Sequence, residues 1–386
     1  MQKHLLQLAI LGAFSVAGAA SAADISVYSI VDTGIAYTSK DIRFGSSEAV
    51  LTHGNEKSFS MQSGYNEASR FGLKGSETLG NGLTAGFKLE NGFSSDDGAM
   101  RYDDRLFGRE AALFLSGDFG TVAFGRMGGV ASSAGTYDLV YAIADAFDGG
   151  DNDVFGLQAS DRYDNTATYQ TPKFSGLQAT LQYAFKTDGV KGEGTEGTSK
   201  ADRYASAALT GDFGPLQWVG AYELTKYANT DRHEDTHIFY AGGNYDFGVA
   251  RVFALAQYAK ASKSFATFEN AFADEVASGV PGAEKGIDGF GAHLGTIVPL
   301  FGGDLTAAAY YAEGESETLG YDFYAVQGDF SYLGFSARYV YPLSKRTSLY
   351  AGAGLAREKS TANTDYGAYS DTNRYTQAYA GLTHRF

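Results

Sequence analysis

The sequence predicts an all-β fold, a 16-stranded antiparallel transmembrane β-barrel with long external loops. Three observations predict it. Apolar residues alternate with polar or small residues over segments of roughly ten residues, which is the period of strands with two different faces. After the N-terminal segment, no apolar run reaches the length of about 18 residues that a membrane-spanning helix needs. Short turns alternate with long polar loops along the chain, which is the plan of an outer-membrane barrel.

The composition excludes several classes of protein. The 386 residues include no cysteine, which excludes a disulfide scaffold, a thiolate metal site and a cysteine nucleophile. The chain has 50 glycines but only 5 prolines and no Gly-X-Y period, so it is neither collagen-like nor a Pro/Gly-rich disordered chain. The 45 acidic residues outnumber the 30 basic ones, which argues against a nucleic-acid partner.

Residues 1–22 read as a secretory signal peptide. Lys3 and His4 precede an apolar stretch, 5–17, and Ala20-Ser21-Ala22 forms an A-x-A cleavage pattern. As a retained anchor the apolar stretch is too short to cross about 30 Å of hydrocarbon. We therefore expect one barrel domain, residues 23–386. Since Lys3 is the only formal charge removed, its net charge changes from -15 to -16.

The strands show the alternation clearly in Val27–Asp32 and Leu83–Glu90. One face carries Leu, Val, Phe and Tyr, and the other carries charged residues, Gln, Thr and Gly. A sheet in lipid must close on itself to leave no unpaired edge. The polar face is then expected to line a wet interior.

The connections are of two kinds. Seven short turns lie near 79–82, 117–120, 172–176, 211–215, 246–248, 299–303 and 342–346, and eight longer polar loops lie near 40–57, 94–105, 127–161, 187–202, 228–235, 261–285, 314–328 and 358–373. Fifteen connections join sixteen antiparallel strands and leave both termini on the side of the short turns. Proline removes a ladder donor, and four of the five lie in these turns: Pro172, Pro215, Pro299 and Pro342.

Five short turns also carry a phenylalanine: Phe119, Phe174, Phe213, Phe247 and Phe301. Exposed aromatic residues at hairpin tips are typical of the girdle at a membrane interface. The alternative is that these rings pack into a core beneath the turns.

Four short motifs resemble a known family. Ser69–Gly80 reads SRFGLKGSETLG, Leu106–Arg109 reads LFGR before Gly117–Thr121, Gly125-Arg126 follows, and the chain ends in Gly381–Phe386. In this order and spacing the chain resembles the general trimeric porins of the Gram-negative outer membrane, most closely the proteobacterial branch. The resemblance implies a homotrimer and a third external loop folded into the lumen. It also implies passive passage of ions and small hydrophilic solutes without a cofactor, and Phe386 resembles the signal read by the barrel-assembly machinery.

The third loop, 127–161, is the longest and resembles the acidic constriction segment of that family, although the usual Pro-Glu start is absent. A structureless loop of this length in a compact barrel is unusual unless it has a function. A solvated surface loop is the alternative. The resemblance places the loop acids of the constriction at Asp145, Asp148, Asp151 and Asp153.

The family places cations on the barrel wall facing this loop. Arg70 and Lys74 share a strand face, opposite Phe71, and are expected to point inward. Arg162 alternates with Tyr163 along its strand, so it is also expected to point inward. Arg109 is retained by resemblance alone, because its alternation would turn the neighbouring Glu110 outward.

Cations on the wall and carboxylates on the loop would create a transverse field across a narrow aqueous passage, which favours hydrophilic solutes. Two alternatives remain open, a substrate-specific channel and an outer-membrane hydrolase. The second rests on His233-Glu234-Asp235-Thr236-His237, which matches the H-E-x-x-H zinc motif but needs a helix. Strand-like residues follow it, so we expect a loop and neither a metal site nor a catalytic residue.

Two further patterns point to loops. Residues 192–197 match G-x-G-x-x-G, but their glutamates would repel a phosphate and no helix follows. The acidic pairs Asp96-Asp97 and Asp103-Asp104 would suit calcium or a divalent bridge to lipopolysaccharide; a solvated loop is the simpler reading.

Overall fold

The structure, a computed structural model, describes residues 24–46, 50–102, 105–231, 233–265, 268–269, 285–319, 325–364 and 367–386. The predicted signal peptide, Asp103-Asp104 and Pro281 lie outside the described residues. Within them, no helix is both long and apolar enough to span a membrane.

Strands make up nearly all of the described regular structure. Their bounds are β1 Asp24–Ser46, β2 Val50–Ser63, β3 Arg70–Gly80, β4 Leu83–Gly92, β5 Glu110–Gly117, β6 Gly120–Gly128, β7 Arg162–Gln170, β8 Leu177–Ala184, β9 Arg203–Phe213, β10 Leu216–Lys226, β11 Thr236–Asp246, β12 Arg251–Ser262, β13 Ser264–Phe265, β14 Phe268–Glu269, β15 Ile287–Leu300, β16 Gly303–Leu319, β17 Ala325–Pro342, β18 Thr347–Thr364 and β19 Gly367–Arg385. In the described part of the chain, the short helix α1 spans Val140–Ala144.

The sheet closes between its first and last strands. β1 pairs antiparallel with β19 from Ile30↔Arg385 to Ser46↔Tyr369, and its other edge pairs with β2 and then with β3. β2 and β3 therefore act as one interrupted wall strand. Each remaining strand of the sheet pairs antiparallel with the next strand around the barrel. β13 and β14 form a separate hairpin. The predicted closed barrel of sixteen strands is confirmed.

The two faces of the wall differ as the alternation predicts. On the outer face, Leu113, Leu294 and Leu355 are each 58% exposed or more, which suits contact with hydrocarbon. On the inner face, Thr168 and Gln257 are buried. The five turn phenylalanines are all exposed, so they do not pack into a core beneath the turns.

Three predicted loops are wrong in part. The regions near 40–57, 314–328 and 358–373 lie largely on strands, because β1 runs to Ser46, β2 starts at Val50 and the hairpins of β16–β17 and β18–β19 continue to Leu319 and Thr364. These segments are rich in polar residues and glycine, so the regular alternation with apolar residues weakens although the ladder continues.

Two of the turn prolines occupy strand ends instead. Pro299 lies next to the end of β15 and Pro342 is the last residue of β17. At an end, a missing N–H donor disturbs the ladder least.

Candidate functional site

The connection between β6 and β7, here called loop 3, packs on the buried face of the wall, opposite the exposed leucines. Val140 and Tyr141 of α1 are fully buried in one cluster with Val219 and Tyr240 of the wall. Asn244 donates its side-chain N–H to the carbonyl of Ile143 at 2.7 Å. The inner face of β10–β12 is therefore partly apolar, because the loop covers it, rather than polar throughout.

Asp145 ties the start of the acidic segment to the wall. Its buried carboxylate accepts hydrogen bonds from the hydroxyl of Tyr310 at 2.9 Å and from the backbone N–H of Phe147 at 2.9 Å. The ring of His293 lies 3.4 Å from the same carboxylate. Asp145 is thus a structural anchor with little contact to water.

Asp151 ties the tip of loop 3 to β17 and β19 of the barrel wall. Its carboxylate accepts hydrogen bonds from Ser336 and from the hydroxyl of Tyr379 at 2.6 Å, and Gln377 donates to it at 3.2 Å. Arg338 lies 3.7 Å away. Burial raises the pKa of Asp151, while these hydrogen bonds and Arg338 oppose the rise.

Asp148 and Asp153 are the two exposed members of the predicted acidic set. Asp148 adopts a left-handed backbone (φ 55°) before Gly149, which turns the chain and projects the side chain. Asp153 bonds to the wall only through its backbone, whose N–H donates to Gln377 at 3.2 Å. These two carboxylates are free to face a solute, unlike Asp145 and Asp151.

Asp138 forms a carboxyl pair with Asp148. Burial raises the pKa of Asp138 well above its usual range, and the adjacent charge of Asp148 raises it further. Burial also raises the pKa of Asp148, and the nearby cation of Arg70 opposes that rise.

Arg70 and Lys74 lie on β3 as the alternation predicts, with Phe71 exposed on the other face. The Lys74 ammonium lies 5.5 Å from the ring centre of Tyr28. That ring crosses Gly72, where any Cβ would lie 2.5 Å from it, and its hydroxyl donates to Glu90 at 2.7 Å. Glycine is thus needed at 72 for Tyr28 to reach across the wall.

Arg109 is 3% exposed and pairs with Glu90, its Nε lying 2.6 Å from a carboxylate oxygen. Glu110 is also buried, held by Lys88 at 2.7 Å and Thr136 at 2.6 Å. Both neighbours lie inside, contrary to the expectation that one would face outward, because β5 begins only at Glu110 and strand alternation does not apply before it.

Arg162, the first residue of β7, stacks on Tyr102 with its guanidinium carbon 4.8 Å from the ring centre. Arg109 donates to the hydroxyl of Tyr102 at 3.3 Å. Burial alone would raise the pKa of this tyrosine, but the two arginine cations outweigh it and lower the pKa. Within the described residues, Nε of Arg162 makes no hydrogen bond. Arg162 lines a polar cavity of about 430 Å³ together with Arg126 and Tyr102.

A family model described as Gram-negative porin matches residues 8–384. The chain belongs to this family. An outer membrane porin protein of Bordetella pertussis is 32% identical over 100% of both chains. Outer membrane porin protein 32 of Delftia acidovorans is 35% identical over 67% of this chain and 70% of that protein. The fold resembles that of the anion-selective porin from Comamonas acidovorans, with a TM-score of 0.60 at 24% identity over 95% and 100% of the two chains.

Part of the charged wall of this porin is not predicted by its sequence pattern. Arg105 and Arg126 both bind Asp164, at 2.9 and 2.7 Å, and Arg105 also binds Asp188 of the loop after β8. Glu90, the partner of Arg109, shares a strand face with Lys88, so the alternation along β4 could have predicted its position. Arg105 and Asp188 lie on loops, where periodicity carries no information.

The zinc-like motif of this porin lies off any helix. His233 donates its Nδ1–H to the backbone carbonyl of Glu234 at 2.8 Å, while His237 is on β11 and its Nδ1 lies 2.7 Å from the hydroxyl of Tyr222. No group of three potential metal ligands occurs within the described part of the chain. Residues 192–197 lie in turns followed by the strand β9.

Proposed function

We propose that this porin is a general-diffusion channel of the Gram-negative outer membrane, a water-filled pore for ions and small hydrophilic solutes. One observation carries the proposal. Loop 3 is fixed to the inner face at Asp145 and at Asp151, while Asp148 and Asp153 between and beside these anchors remain exposed. A loop held in this way narrows the lumen and presents its carboxylates there. We call this narrowing the eyelet.

The barrel wall that faces loop 3 across the eyelet carries cations. Arg70, Arg109 and Arg162, with Lys74 beside them, form its wall, and the loop carboxylates face them. Charges of opposite sign across a passage with low-dielectric walls produce a strong transverse field. Dipolar and hydrated solutes align with such a field, whereas apolar ones lose hydration without compensation. Passage then needs no turnover and no tight binding.

The partners follow from the family and from the outer surface. The exposed apolar outer face suits outer-membrane lipid and a homotrimer contact, and polar hairpin extensions suit the lipopolysaccharide surface. Phe386 is 67% exposed at the end of β19, where the barrel-assembly machinery would reach it. Cleavage of residues 1–22 would precede assembly.

Two other functions predict different behaviour. A substrate-specific channel would show current that one solute blocks in a saturable way. A hydrolase centred on His233 and His237 would lose activity or zinc when both become alanine; we expect that variant to conduct like the wild type.

Reversal potentials in a KCl gradient across planar bilayers test the proposal. We expect conductance to rise in proportion to salt concentration, with no saturable block by any single sugar. Arg70→Ala should shift selectivity toward cations. Asp148→Asn should shift selectivity toward anions, because it removes an exposed loop carboxylate that opposes the eyelet cations.

The matched control is Glu193→Gln/Glu196→Gln, which removes two exposed charges from the loop between β8 and β9. Because these charges are screened by salt within about 10 Å, this variant should keep the wild-type reversal potential. A purified, folded protein without conductance would overturn the channel itself. Equal shifts from the control and from the eyelet variants would overturn the location of the field.

A further inference from the structure

Between β2 and β3, the chain leaves the wall over Gly64–Ser69, here called the insert. Thr33 of β1 pairs with Ser63, and Ile30 pairs with Arg70. Two residues of β1, Val31 and Asp32, therefore face six residues of the insert. An ordinary β-bulge adds one residue, so this excursion is too long to be a defect of the ladder.

Asp32 holds the insert on the inner side of the barrel. Its fully buried carboxylate accepts hydrogen bonds from the backbone N–H of Glu67 at 3.2 Å and from the hydroxyl of Tyr350 at 2.8 Å, with Thr383 as a further donor. Its backbone carbonyl accepts bonds from the N–H of Gly64 at 3.1 Å and from the hydroxyl of Ser69 at 3.0 Å. Tyr350 and Thr383 belong to the buried face of their strands. The insert therefore lies on the same side of the wall as loop 3.

The insert contacts the tip of loop 3 directly. The side chain of Asn152 donates to the carbonyl of Tyr65 at 3.1 Å, and Arg338 approaches the same carbonyl at 3.5 Å. The ring of Tyr65 packs edge-on against Tyr379, 5.0 Å between centres, and Tyr379 in turn donates to Asp151. One continuous set of contacts thus joins the insert to the anchor of loop 3.

The insert also places a carboxylate beside a cation of the proposed eyelet. Glu67 lies 3.8 Å from Arg70 and also pairs with Arg385. The side chain of Glu67 is 25% exposed and that of Arg70 is 24% exposed. Their charges act on the same water, so Glu67 offsets part of the positive potential of Arg70.

We propose that the insert is a second narrowing element, which meets the tip of loop 3 and sets the width and charge of the eyelet from the other side. Tyr65 supplies the bulk and Glu67 the charge. The inference rests on the proposed channel function, because width and charge matter only if solutes pass.

The experiment uses full-length protein in planar bilayers. Deleting residues 65–68 leaves Gly64 and Ser69 opposite Val31 and Asp32, so the ladder can continue without an excursion. We expect its single-channel conductance to rise about 1.5-fold or more, since the narrowest section limits ion flow. Tyr65→Ala should give a smaller rise, and Glu67→Gln should shift the reversal potential toward anions without changing conductance.

A deletion of equal length, residues 193–196 of the exposed loop after β8, is the control and should leave conductance unchanged. If the 65–68 deletion fails to fold, Tyr65→Ala and Glu67→Gln decide the question alone. Folded variants with wild-type conductance and wild-type selectivity would overturn the inference while the channel stands. A wild-type protein that does not conduct would instead overturn the proposed function.

Discussion

Tyr102 is an unusual residue in the eyelet because two cations share it. Its backbone is left-handed (φ 68°), a conformation that costs a non-glycine residue about 1 kcal/mol or more. Stacking under Arg162 at 4.8 Å and the hydrogen bond from Arg109 offset that cost. The phenol thus contacts both Arg109 and Arg162, so a change in its charge acts on both arginines.

The lowered pKa of Tyr102 predicts a selectivity that depends on pH. As pH rises from neutral, Tyr102 loses its proton below the ordinary tyrosine range and adds a negative charge between Arg109 and Arg162. Burial raises the pKa of Tyr65 and of Tyr137 to about 12, so these two ionise later. We expect the cation-to-anion permeability ratio, measured from reversal potentials, to rise before the pH reaches the ordinary range of tyrosine.

Tyr102→Phe is the control for this effect, because it keeps the ring under Arg162 and removes only the ionisable hydroxyl. Its permeability ratio should stay flat over the same pH range. An alkaline shift that persists in this variant would assign the titration to another group.

The sequence predicted residues on regular strands better than residues beside them. The inward position of Arg70 follows from the period of β3, and Phe71 is exposed on the opposite face as that period requires. Arg109 lies one residue before β5, where its contacts with Glu90 and Tyr102 fix its direction. The four loop acids divide into two anchors and two exposed groups, and this division depends on partners such as Tyr310 and Tyr379, which are distant in sequence and invisible to a local pattern.

At the scale of elements, loop 3 depends on its two anchors. α1 has only five residues and no side-chain cap, so it does not hold the loop in place by itself. Apolar packing fixes the part of the loop around Tyr141. The tip around Asp151 relies on polar bonds to β17 and β19 instead.

Asp151→Ala should therefore loosen the tip of loop 3. The change leaves the hydroxyl of Tyr379 without its acceptor, and a buried unsatisfied group costs about 1–3 kcal/mol. We expect more frequent closures and larger current noise in single-channel recordings, with the barrel still resistant to SDS before boiling.

Asp153→Ala is the matched control, since it removes a neighbouring carboxylate that is exposed and bonds to the wall only through its backbone. It should change ion selectivity slightly and leave the noise at the wild-type level. Equal noise in the two variants would show that charge, rather than anchoring, governs the stability of the open state.

The elements also show where periodicity fails. The long hairpins of β1–β2 and β18–β19 extend past the alternating segments because backbone pairing continues in water, where neither face needs to be apolar. The inner face of β10–β12 carries Val219, Ile238 and Leu255, which read as lipid-like residues but pack against loop 3. A strand pattern alone does not distinguish a face covered by lipid from one covered by another part of the chain.

At the scale of the whole molecule, closure of the sheet was predictable and its outer partner was not. Counting turns and loops gave sixteen strands, and the pairing of β1 with β19 closes the ring. The outer face carries exposed leucines and phenylalanines around the wall. Lipid and a neighbouring subunit demand the same apolar surface, so the position of a subunit contact is not evident from composition.

The homotrimer proposed from the family gives the last prediction. Protein extracted without boiling should migrate in SDS at the mass of three chains and, in bilayers at high voltage, close in three equal current steps, since each subunit carries its own pore. Boiling should abolish both, because heating in SDS unfolds the barrels and separates the subunits. Removal of Phe386 should lower the amount of trimer recovered from the outer membrane while leaving the conductance of the assembled trimers unchanged, as its side chain projects outward at 67% exposure. Closure in a single step, with a native mass of one chain, would contradict the trimer, and unchanged recovery without Phe386 would contradict its role as the assembly signal.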